Sequence, residues 1–181
     1  PQRQALETYR SAGIRIGKVQ VSSAIHVPWE LAVGNSESQS VILQQLTNLH
    51  ETRYLHQTTV SDSSGRLEKL AEDLPMALER WISHGMPERP WRIHFHVPIY
   101  VERFGVLSTT QSDISDACQF LEDQRLSQVS GRNWFTGHYE VETYAWPVLP
   151  PELAVSDLAT GIAKELEYFE RLLASCESDK N

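Results

Sequence analysis

Two histidines and two glutamates carry the clearest chemical signal in this sequence. His94 and His96 lie two residues apart in WRIHFHVPIYV (Trp91 to Val101), and Glu140 and Glu142 lie two apart in HYEVETYAW (His138 to Trp146). In an extended chain such residues point to the same side. The same spacing puts Lys18, Gln20 and Ser22 on one side of IRIGKVQVSSAI (Ile14 to Ile25), and Tyr54, His56 and Thr58 on one side of YLHQTTV (Tyr54 to Val60). Imidazole nitrogen with carboxylate oxygen suits Zn2+ or Mn2+, and also Mg2+ where oxygen dominates. His56, His96 and Glu142 are the candidate metal ligands, and Glu142 and His94 the candidate catalytic groups. Lys18, Gln20, Glu140 and Arg103 are candidate substrate contacts. The plain alternative is a structural layer of ion pairs, such as Lys18 with Glu140.

These groups need elements to hold them. The four segments above are rich in β-branched and aromatic residues and are bounded by Gly, Pro, Ser or Asn, as strands are. Helical spacing of apolar residues predicts helices over Gln4 to Ala12, Ser38 to Glu51, Leu67 to His84, Asp113 to Leu126 and Val155 to Leu173. Pro75 falls inside the third of these and divides it. Strands alternating with helices predict a parallel sheet with right-handed crossovers. No glycine-rich phosphate loop follows any strand, which disfavours a doubly wound sheet. The expected fold is therefore a (β/α)8 TIM barrel, of which residues 1–181 supply four βα units, the C-terminal half. Val19, Val21, Ile93, Phe95 and Val97 would pack outward under the helices. The polar faces of all four strands would point into the barrel, with His96 and Glu142 nearest the catalytic end.

The 181 residues are 40% hydrophobic and 22% charged, with a net charge of -8, a composition suited to one globular domain. The acidic balance argues against general binding to nucleic-acid phosphates or anionic membrane. No stretch reaches the roughly 20 apolar residues of a membrane span. The N-terminus lacks a basic and then apolar signal peptide, and Cys118 and Cys176 show no metal or redox spacing, which points to a reducing cytoplasmic setting. No Gly-x-Ser-x-Gly elbow occurs, so a serine nucleophile of that type is not expected.

HFHVP (His94 to Pro98), EVETYAWPVLP (Glu140 to Pro150), KVQVSSA (Lys18 to Ala24) and DLATGIAKELEYF (Asp157 to Phe169) resemble the bacterial metabolite-traffic protein EboE family, a branch of the xylose-isomerase-like TIM barrels. The resemblance spans nearly all of this chain and the C-terminal half of the family's length. It implies a divalent metal held by acids on strands four and five, a His on strand six and a Glu on strand eight. With the present strands taken as five to eight, these fall on His56 and Glu142. The strand-five position falls on Gln20 or Ser22, neither of them acidic, and the strand-four acid would lie upstream of residue 1. The inherited site is thus incomplete unless His96 compensates.

The leading expectation is a metal-dependent isomerase or epimerase acting on a sugar, sugar phosphate or polyol. The alternative is a barrel protein that binds and hands on a small metabolite without turnover. Metal-dependent cleavage of nucleic acid, suggested by endonuclease-like cousins, is disfavoured by the acidic charge. Half a barrel exposes sheet edges, so an N-terminal half or self-association is expected to cover them.

Overall fold

A computed structural model describes residues 2–49, 53–62, 64, 66–126, 134–142, 149, 150, 153 and 157–178. After helix α1 (Gln2–Ser11), the chain forms β1 (Val19–Val21) and β2 (Ser23–Val27), a single 3-10 turn at Trp29–Leu31, and α2 (Ser36–Asn48). A hairpin of β3 (Thr58–Ser61) and β4 (Leu67–Ala71) leads into α3 (Leu74–Ile82) and β5 (Trp91–Val97). Then come a small hairpin, β6 (Arg103–Phe104) and β7 (Leu107–Thr109), helix α4 (Gln111–Leu126), β8 (Tyr139–Val141) and α5 (Leu158–Ser178).

Six of the strands form one sheet in the order β4-β3-β5-β2-β7-β6, and every neighbouring pair in it is antiparallel. The remaining two, β1 and β8, make a separate parallel pair. The (β/α)8 half barrel is thereby overturned: no closed barrel is seen, and the large sheet runs antiparallel. The cause is local. Leu67 to Ala71 was expected to open a helix but pairs with β3, and Asp62 turns the hairpin by accepting hydrogen bonds from the backbone of Ser64 and Arg66 at 2.8 and 3.0 Å. The reversal leaves β3 antiparallel to β5. The helix starts later, at Leu74. Asp73 caps it, and Pro75 sits in the first turn, where its missing N–H costs nothing. The other helices lie close to their predicted spans. α2 begins behind Asn35, whose side chain accepts from the Ser38 N–H at 3.0 Å.

One face of the large sheet carries the main core. Ile25, Val27, Trp91, Ile93, Phe95 and Val97 are buried there against Ile42 and Leu46 of α2 and Leu74 and Ala77 of α3. Trp91 is gripped edge-on by Trp29 and Trp81, with ring centroids 5.4 and 5.0 Å away. A second cluster under the parallel pair joins Val21, Ile99, Ile114, Cys118, Phe169 and Cys176, and holds α4 and α5 against β1 and β8. Both cysteines are buried. Among the described residues, no helix is long and apolar enough to cross a membrane.

Candidate functional site

Ser22 marks the place where the chain leaves one sheet for the other. Residues 19–21 pair in parallel with 139–141, and the Glu142 N–H continues that ladder by donating to Val21 O at 2.9 Å. From Ser23 onward the chain pairs antiparallel with β5, Ser23 opposite Val97. Side-chain alternation carries through the junction. Val21, Ser23, Ile25 and Val27 are buried, while Lys18, Gln20 and Ser22 face the other way. On β5 the same register buries Trp91, Ile93, Phe95 and Val97 and turns Arg92, His94 and His96 to the opposite face. Ser22, His94, His96 and Glu142 therefore converge from three strands.

The contacts are short. Ser22 Oγ lies 2.6 Å from His96 Nδ1, and Glu142 Oε2 lies 3.8 Å from the same nitrogen. On the far side of the ring, His96 Nε2 meets His94 Nε2 at 2.7 Å, with the ring planes inclined by 54°. The His96 side chain is 9% exposed, whereas His94 is exposed. Burial, reinforced by the neighbouring His94, pushes the pKa of His96 down to about 4. His96 is accordingly a neutral imidazole at neutral pH, with one nitrogen as donor and the other as acceptor.

The flanking charges are structural in style. Lys18 pairs with Glu140 at the exposed end of the parallel ladder, and that bond holds the Glu140 carboxyl below its ordinary range. Gln20 stands opposite Glu140 in the register and is exposed. Further along the same face, Arg92 pairs with Asp113 of α4 at 2.8 Å. The His26 pKa is lowered, chiefly by burial.

Two predicted site residues lie elsewhere. His56 is buried on the core face, stacked on Phe95 at 4.7 Å, because β3 pairs Thr58 with Ile93 and so turns its even-numbered residues inward. Its backbone N–H donates to Asp73 Oδ1 at 2.9 Å. Arg103 sits on the edge strand β6, three strands away from β5. The predicted ligand set of His56, His96 and Glu142 is thus divided by the sheet. Glu142 also approaches Nδ1 of His96 while His94 faces Nε2, so the carboxylate and the second imidazole do not share one coordination point. Among the described residues, no three His, Cys, Asp or Glu side chains are arranged to hold a metal ion.

Ser22 is the member of this cluster that was weighed only as a non-acidic residue at a ligand position and was not among the candidate site residues. The signal was its place on the Lys18–Gln20–Ser22 face, two residues beyond Gln20. Trp29, Trp91 and Trp134 are buried in packing, and Trp146 lies outside the described residues. Among the described residues, one cleft lies beside Trp81 and Met86 and another beside Leu31 and Arg103, and neither is lined by the histidine pair. No protein-family profile, curated protein or solved structure matches the chain.

Proposed function

We propose that Ser22, His94, His96 and Glu142 form a proton-transfer site for a small hydroxylated metabolite, and that the chemistry is isomerisation or epimerisation of a sugar, sugar phosphate or polyol. The observation that carries this reading is the 2.7 Å contact between the two Nε2 atoms. One ring must present N–H there and the other a lone pair. The Glu142 carboxylate and Ser22 beside Nδ1 favour the proton of His96 on that nitrogen. His96 Nε2 is then the acceptor, His94 Nε2 the donor, and His94 Nδ1 a lone pair on the exposed ring. His94 is the general base in this reading. It removes a proton from a carbon next to a carbonyl and, as imidazolium, returns it to the same or the neighbouring carbon. His96, Ser22 and Glu142 are positioning residues that fix its tautomer. Among the described residues the His and Glu donors do not converge on one ion.

The EboE-family resemblance remains part of the proposal at the level of small-metabolite handling, without its barrel. Two buried cysteines suit a reducing, cytoplasmic setting. A second reading, metabolite binding without turnover, is favoured by the exposure of His94, since an open face does not exclude water from a reacting carbon.

The test is solvent-deuterium incorporation into a panel of aldoses, ketoses and their phosphates, followed by proton NMR. The reading expects exchange at one carbon, reduced roughly 10²- to 10⁴-fold in His94→Gln. Binding of a panel member without exchange would leave only the carrier reading. Exchange that persists in His94→Gln would remove His94 from the chemistry.

A further inference from the structure

A cleft opens at the β6 edge of the sheet, away from the histidine pair, where the 3-10 turn and the start of α2 face the β6–β7 hairpin. The cleft has a volume of about 430 Å³ and is lined by Pro28, Leu31, Val41, Ile42, Arg103 and Val106 among others. That size falls in the range of small-molecule pockets. Its apolar surface is not tucked away: Leu31 is 76% exposed and Val41 42% exposed. Such side chains at the mouth of a cleft lose water only when something covers them.

The hairpin wall is held rigidly. The Gln45 side chain donates from Nε2 to Phe104 O and accepts at Oε1 from the Val106 N–H, both at 2.9 Å. Gly105 between them adopts φ +56°, and a Cβ there would lie 2.5 Å from Gln45 Oε1. Only glycine lets the amide seat itself against the turn. This clamp fixes the strand that carries Arg103.

Charge identifies the occupant. Arg103 and Glu37 both line the cleft. Among the described residues, neither makes an ion pair with the other or with any other side chain. The guanidinium is the group that recognises a carboxylate bidentately. We infer that the cleft between α2 and the β6–β7 hairpin binds a small carboxylic acid with an apolar body, its carboxylate on Arg103 and its hydrocarbon over Leu31, Val41 and Val106. Glu37 decides between the two sources of that chemistry. A simple carboxylic acid is repelled by it, whereas an apolar amino acid offers it an ammonium group.

Two probes separate these cases, 4-methylpentanoate and leucine, each titrated into the ¹⁵N-labelled 181-residue chain and followed by amide NMR. The inference expects saturable shifts confined to residues 28–42 and 103–107 with at least one probe. Arg103→Gln should weaken that binding by about tenfold or more, the loss of a charge-assisted bond. Glu37→Gln should strengthen 4-methylpentanoate and weaken leucine, which shows which source the cleft prefers. Both residues are exposed, and amide dispersion of each variant reports whether it is folded. No saturable shift with either probe at millimolar concentration overturns the proposal. So do shifts that leave the cleft for the histidine face, or binding unchanged in folded Arg103→Gln.

Discussion

Replacing His96 tests the electrostatics of the cluster through stability. An ordinary histidine titrates near 6.5, and His96 in the fold is pushed down to about 4. As pH falls below 6.5 the unfolded chain takes up this proton and the folded chain does not. Stability contributed by the neutral ring is therefore full above 6.5, declines through the interval and levels off below about 4. A shift of that size corresponds to roughly 2.5 kcal/mol between pH 7 and pH 4.5. Solvent reaches the pair through the exposed His94, and screening reduces the expected figure to about 1–2 kcal/mol. The perturbation is His96→Asn, which keeps a polar group beside Ser22 but cannot titrate. Urea unfolding of both proteins, followed by circular dichroism at half-unit steps from pH 7.5 to 4.5, isolates the term. His26, also shifted downward, is present in both and cancels. The wild type should lose about 1–2 kcal/mol more than the variant over this range. Parallel profiles would refute the reasoning, because His96 would then be as easily protonated folded as unfolded.

Three other outcomes follow from particular contacts. Gly105→Ala should destabilise the fold by about 1–3 kcal/mol, since φ +56° is unfavourable for alanine and its Cβ meets Gln45; urea unfolding measures it. Tyr139→Phe removes the hydroxyl that donates to buried Glu122 at 2.8 Å and should cost about 1–3 kcal/mol in the same assay, whereas an unchanged midpoint would mean that Glu122 is satisfied by Arg125 alone. Cys118, whose thiol is pushed up to about 12 by burial and by Cys176 and Glu122, should resist alkylation at pH 8 in the native protein and react on unfolding, as mass spectrometry of trapped thiols would show.

How much of this was legible in the sequence depended on the range of the interaction involved. Alternation along single strands was legible. Val21, Ile93, Phe95 and Val97 are buried as read, and Lys18, Gln20, Ser22, His94 and His96 face away from them. The pairing of strands was not. Apolar periodicity over Leu67 to His84 merged a strand with a helix, because Leu67 and Leu70 suit either period, while Asp62 marks the turn and Asp73 the cap. That one error hid the β3–β4 hairpin and with it the antiparallel pairing of β3 with β5. It also misplaced His56, since a strand's alternation does not say which of its two faces meets the core. β6 and β7 were too short for any periodicity to register. Bringing Glu142 beside Ser22 and His96 required the parallel pairing of two segments 120 residues apart, which local pattern does not encode.

The central claim is that His94 and His96 act as one proton-sharing pair with His96 neutral and protonated on Nδ1. Long-range ¹H–¹⁵N spectra of the imidazole rings, recorded from pH 8 to pH 4, test it most directly. The account predicts a His96 Nδ1 signal of the N–H type, an Nε2 signal of the acceptor type, and no titration of His96 until about pH 4. A His96 ring that titrates near 6.5, or one that carries its proton on Nε2 throughout, would contradict it.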